Sequence, residues 1–154
     1  MKAPVTDSTL HYATTRYLLR RAGGEGGVLV FADPAKYATW AGASEFALAT
    51  EELPVAVFKF DPDRWCLVTT RSVYCRSGAH QQRFEAAGLR RIRPHIVAGV
   101  TRVDTLDEIR VTLSDKSAHL IKAAPGLIFN LLYATLIRLA RTNRKATPVR
   151  EASP

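Results

Sequence analysis

The stretch Trp65-Cys66-Leu67-Val68-Thr69-Thr70-Arg71-Ser72-Val73-Tyr74 reads as two short apolar strands joined by a polar turn. Aromatic and β-branched residues crowd both arms, and such side chains suit a pleated, half-buried surface. A tight turn centred between Thr70 and Arg71 fixes the register. It sets Val68 opposite Val73, Leu67 opposite Tyr74 and Cys66 opposite Cys75. Side chains alternate with period two, so this register puts both thiols on one face of the hairpin. One reading makes Cys66 and Cys75 a redox-sensing pair or half of a metal site. The other makes them small buried hydrophobes, as unpaired cysteines commonly are. The second is preferred, because structural zinc takes four ligands and His80 and His95 lack compact finger spacing.

Working outward, Val55, Val57 and Phe58 belong to a preceding strand, ended by Asp61-Pro62-Asp63. Residues 77–88 are polar and read as a loop with one turn of helix. Residues 92–103 read as a strand region kinked by Pro94 and Gly99. Ile109-Arg110-Val111-Thr112-Leu113 alternates as a half-buried strand should, Ser114–Ser117 turns, and residues 118–121 return. Pro125 opens a helix reaching residue 142. Ile128, Leu132, Leu136 and Leu139 share its apolar face with Phe129 and Tyr133, and Asn130, Arg138, Arg141 and Thr142 lie opposite. Upstream, a helix over residues 7–21 takes Asp7 or Ser8 as its cap. Leu10, Ala13, Thr14, Tyr17 and Leu18 form its inward face. Gly23-Gly24-Glu25-Gly26-Gly27 follows a helix and lacks a Gly-Lys-Ser/Thr ending, so it is a connector rather than a phosphate loop. Residues 28–31 read as a strand. Asp33-Pro34 reads as a helix start running to Trp40, and residues 42–53 carry no clear pattern.

A meander of short antiparallel strands followed by one amphipathic helix is similar to pleckstrin-homology-like domains, including the GRAM and bacterial PH families. The hairpin 65–74 resembles the one in which a hydrophobic strand ends in Thr, a polar residue and Arg before re-entering a hydrophobic strand. The resemblance covers residues 54–142. It implies an α+β fold, a PH-like antiparallel β-sandwich or curled sheet capped by the C-terminal α-helix. Residues 1–53 become an N-terminal helical extension packed on that core, and residues 143–154 a basic tail. Phosphoinositide-binding members use a basic loop between the first strands. Here that loop, Asp61–Arg64, carries two acids and only Arg64.

The chain has 154 residues, 47% of them hydrophobic, and a net charge of +8. That length suits one domain. The first 60 residues are neutral overall, so the excess lies in the second half. No secretory leader or membrane-spanning run is evident, and a reduced cytoplasmic protein is expected. Neither HExxH, GxSxG, paired CxxC nor a Walker sequence occurs, so no enzyme, no cofactor and no metal are expected.

Arginines carry the remaining signal, since their planar forks match carboxylate and phosphate. Arg76, Arg83, Arg90, Arg91 and Arg93 surround one loop with Glu85 as its single acid. Arg138 and Arg141, with Arg144, Lys145 and Arg150, populate the last helix turn and tail. The expected binding residues are Arg76, Arg83, Arg90, Arg91, Arg93, Arg138 and Arg141, facing an acidic protein partner. A stoichiometric binder, such as a bacterial immunity protein that neutralises a toxin domain, fits these features. A peripheral anionic-lipid binder is the alternative. Nucleic acid is disfavoured, because Phe58, Trp65 and Tyr74 read as core and only Phe84 sits among the arginines.

Overall fold

The computed structural model describes residues 5–22, 26–96 and 106–146, with side chains to residue 143. It is α+β, with two antiparallel sheets between an N-terminal and a C-terminal helix, as the PH-like resemblance implies.

Helix α1 spans Asp7–Ala22. Its cap is Thr6, one residue before the expected position. The Thr6 hydroxyl accepts the Thr9 amide at 3.1 Å, and its carbonyl accepts the Leu10 amide at 3.0 Å. Asp7 is thereby released for a distant partner, described below. The buried face is Leu10, His11, Thr14, Thr15, Leu18 and Ala22, while Ala13 is exposed. The helix is rolled from its expected orientation because two polar side chains find bonds inside. His11 Nε2 bonds the Phe31 carbonyl at 2.8 Å, and the Thr15 hydroxyl donates to the His11 carbonyl at 2.8 Å. Polar groups so satisfied can be buried.

Strands β1 (Val28–Val30), β2 (Pro54–Asp61), β3 (Arg64–Thr69), β4 (Ser72–Ser77) and β5 (His80–Glu85) form one antiparallel meander. Its central hairpin has the expected register: Val68 opposite Val73, Leu67 opposite Tyr74 and Cys66 opposite Cys75. Neither Thr70 nor Arg71 has positive φ. The Thr69 hydroxyl closes the turn instead, accepting the Arg71 and Ser72 amides at 3.2 and 2.9 Å.

Strand β5 corrects the loop expected over residues 77–88. It is an edge strand whose one fully buried side chain is Phe84, so it carries almost no apolar alternation. A single 3-10 turn, Ala86–Gly88, follows.

The second sheet orders β6 (Leu89–Pro94), β7 (Glu108–Leu113) and β8 (Ala118–Lys122). The strand expected over residues 92–103 thus starts earlier and ends at Pro94; residues 97–103 lie outside those described. Helix α2 spans Leu127–Ala146, starting after Gly126 at φ +97 rather than at Pro125.

One core takes side chains from every layer: Phe58, Val68, Val73 and Phe84 from the first sheet, Ile92, Ile109, Val111 and Ile121 from the second, Leu132 and Leu136 from α2, and Leu18 from α1. Burying each large aliphatic contributes about 1.5–3 kcal/mol. Residues before 54 are therefore continuous with this core. Leu29 of β1 pairs with Val57 of β2 across the boundary expected at residue 54.

A second cluster lies on the outer face of the first sheet. Val57, Leu67 and Tyr74 point outward and meet Phe31, Tyr37, Trp40, Phe46 and Trp65. The strap that delivers these rings runs through two 3-10 turns, Pro34–Thr39 and Ala41–Glu45. Asp33 caps the first, as Asp-Pro suggests, by accepting the Ala35 amide at 3.0 Å. Trp40 and Trp65 meet edge to face at 5.0 Å. The Tyr37 hydroxyl donates to the Phe46 carbonyl at 2.8 Å. Burial, with Tyr74 and Glu52 nearby, pushes its pKa up to about 12. Buried Glu52 accepts from the Thr69 hydroxyl and from the Ala49 amide, tying the strap's end to the β3–β4 turn.

Candidate functional site

The outer faces of the two sheets differ. That of the first is sealed by the aromatic strap. On the second, Ile92, Ile109, Val111 and Ile121 turn inward, which directs their neighbours outward. Arg91 stands across from Thr112, and Arg93 across from Arg110. Leu120 follows Arg110 in the same row.

Arg91, Arg93 and Arg110 are all exposed and line a shallow recess of about 240 Å³ with Thr112. Like charges directly opposite on a sheet are destabilising. No ion pair among the described residues relieves them; the described pairs are Arg64–Asp61, Arg71–Asp7, Arg71–Glu51 and Arg76–Glu45. Glu108, further along β7, stands opposite Lys122. The recess therefore offers three forked cations and one hydroxyl, a donor set for carboxylate or phosphate. A guanidinium carries five N–H donors and no acceptor, so the recess can donate to an anion.

The other expected arginines are dispersed. Arg76 and Arg83 lie on the first sheet. Arg76 is held by Glu45 at 2.6 Å and donates to the Gly78 carbonyl at 3.1 Å. Arg83 sits 5.4 Å from the Tyr74 ring centroid. Arg90 donates to the Ala87 and Leu89 carbonyls at 2.9 and 3.3 Å, where the β6–β7 register shifts. Arg138 covers the Tyr17 ring at 4.6 Å. With Arg141 it borders a groove between α1 and α2. Arg150 lies outside the described residues. Of the seven, only Arg91 and Arg93 share the recess. Phe84 turns into the core, and the recess formed by Arg91, Arg93, Arg110 and Thr112 is lined by no aromatic side chain.

Sequence reading missed Arg110. Its signal was present, since alternation over residues 109–113 already turned Arg110 and Thr112 outward. The pairing of β7 with β6, across the intervening residues, was not legible.

Among the described residues no three His, Cys, Asp or Glu side chains are grouped to hold a metal ion. No described helix is long and apolar enough to cross a membrane.

No protein-family model matches the chain, and no curated protein matches it. Among solved structures it is similar to a PH-domain-containing bacterial protein from Exiguobacterium sibiricum, at 18% identity and a TM-score of 0.45. The match covers 74% of this chain and 61% of that one, so the chain spans about three-fifths of that protein's length.

Proposed function

We propose that the protein is a non-enzymatic binding module that presents Arg91, Arg93 and Arg110 to an acidic protein surface. The observation that carries this reading is the contrast between the two sheets. Among the described residues, the chain seals one outer face with its own aromatics and leaves the other open, with three mutually repelling arginines unpaired. Such an arrangement costs stability in isolation and is relieved by an anionic partner. Charge complementarity of this kind raises the association rate more than the final affinity. An intracellular immunity protein that occupies a toxin domain is one role of this form.

The test is affinity capture from the source cell, with wild type beside a triple Arg→Ser variant at 91, 93 and 110. A partner that is acidic, elutes with salt and is lost by the variant supports the proposal. A partner retained equally by the variant overturns it. Binding to phosphatidylserine vesicles that depends on the same three arginines overturns it in favour of the lipid alternative.

A further inference from the structure

We propose that Cys66 and Cys75 form a dithiol site, which a low-molecular-weight disulfide oxidises to an intramolecular Cys66–Cys75 disulfide. Three features of the fold support it. First, the two residues are directly opposed in the β3–β4 ladder, and their sulfurs lie 2.6 Å apart. Closing the bond needs only a small approach of the two strands, because directly opposed residues hold their Cβ atoms about 4.5–5.5 Å apart and a disulfide holds them about 3.5–4.5 Å apart.

Second, the pair is reachable. A pocket of about 230 Å³ opens between the first sheet and β8, and both cysteines line it. Exposed His80 and Lys122 border it together with Arg76, and Glu108 is its one carboxylate. The Gln82 side chain bridges to the Leu120 carbonyl at 3.4 Å along the same seam. A polar rim, with Arg76 paired to Glu45 and Lys122 opposite Glu108, over a sulfur floor suits a small polar disulfide.

Third, the two thiols are not equivalent. Cys66 is 1% exposed and Cys75 9%. Burial pushes the Cys66 thiol up, and its bond to Cys75 adds to this, so Cys66 keeps its proton. Cys75, the more exposed of the two and a lining residue of the pocket, is the sulfur an incoming disulfide meets first, which makes it the nucleophile.

The chemistry follows from that asymmetry. Cys75 gives its proton to water, and its thiolate attacks one sulfur of the incoming disulfide, R–S–S–R, whose departing thiolates take protons from water. The S–S bond breaks, and one thiolate leaves with its electron pair. Cys66 then loses its proton to water and attacks the Cys75 sulfur of the mixed disulfide, expelling the second thiolate. Two protein thiols are oxidised, and one small disulfide is reduced to two thiols.

The test incubates the reduced full-length chain, in folded form, with oxidised glutathione. Intact mass and peptide mapping follow the product. Wild type should lose two hydrogens, retain no glutathionyl group and contain a Cys66–Cys75 linked peptide. Cys66→Ala should stop with one glutathionyl group on Cys75, and Cys75→Ala should take up none. Wild type that keeps both thiols overturns the proposal. So does wild type that accumulates glutathionyl groups without closing, or that crosslinks into dimers. Circular dichroism checks that each variant folds; where one does not, the wild-type mass and peptide map decide alone.

Discussion

Arg93 of β6 stands directly across from Arg110 of β7, with Arg91 two residues along the same face. A cross-strand like-charge pair costs stability, and no other part of the described chain neutralises this one. Replacing Arg110 with Thr removes the repulsion and installs a residue that favours strands. The R110T variant should therefore be more stable than wild type, by roughly 0.2–1 kcal/mol. Urea unfolding should detect the gain at low salt and find it reduced at high salt, where exposed charges are screened. The same substitution should weaken capture of the acidic partner. Destabilisation by R110T at low salt would remove the main support for a face kept for binding.

Arg71, on the β3–β4 turn, bonds Asp7 at the start of α1 through Nε at 3.2 Å and Nη2 at 2.9 Å. Glu51 adds a third contact at 3.1 Å. Partial burial raises the Asp7 carboxyl, but bonds from Arg71 and Thr70, with the charge of Arg71, outweigh it and hold the group below the usual carboxylate range. A carboxylate depressed in the folded state contributes stability above its unfolded pKa and loses it as pH falls through the folded one. Asp7→Asn should thus cost about 0.2–1 kcal/mol near neutral pH, the range for a largely solvated pair. The gap between wild type and variant should close below about pH 4. A gap that persisted unchanged in acid would mean that the substitution acts on helix α1 rather than on the ion pair.

Leu18 is fully buried in the same core as Leu136 of α2, although the resemblance to PH-like domains begins only at residue 54. Leu18→Ala should cost about 2–5 kcal/mol, the range for emptying a packed leucine site. Expression of residues 54–154 alone would strip β1 from β2 and uncover the α1 side of α2. That fragment should lack a cooperative unfolding transition. A fragment that unfolded cooperatively, with native stability, would show the first 53 residues to be dispensable.

What the sequence disclosed and what it hid follow one physical line. The 65–75 hairpin was legible to the residue because a two-residue turn fixes register and both arms are apolar on alternate faces. Strand β5 was hidden because an edge strand needs few inward side chains, and here Phe84 supplies the only fully buried one. The strap over residues 33–46 was legible only at its Asp33-Pro34 start, for a different reason. Its rings arrive singly, from Tyr37, Trp40 and Phe46, on 3-10 turns that have no long period. The arginine recess was half legible. Arg91 and Arg93 follow from alternation along one strand, whereas Arg110 joins them only through strand pairing.

Gly42 lies under the Trp40 ring, and a Cβ built there would meet that ring at 2.5 Å. The ring has little room to yield, since Tyr37 lies 5.9 Å from it and Trp65 5.0 Å, centroid to centroid. Gly42→Ala should therefore displace Trp40 from the outer face of the first sheet. Overpacking of this kind costs about 1–3 kcal/mol. Because Trp40 and Trp65 are the two tryptophans of the chain, their emission reports the event directly and should shift to the red as the cluster takes on water. The double variant Gly42→Ala, Trp40→Leu should recover part of the loss, since the smaller side chain vacates the space the new methyl needs. Unchanged emission and stability in Gly42→Ala would mean that the strap is loosely seated. The second sheet would then no longer be the one open face.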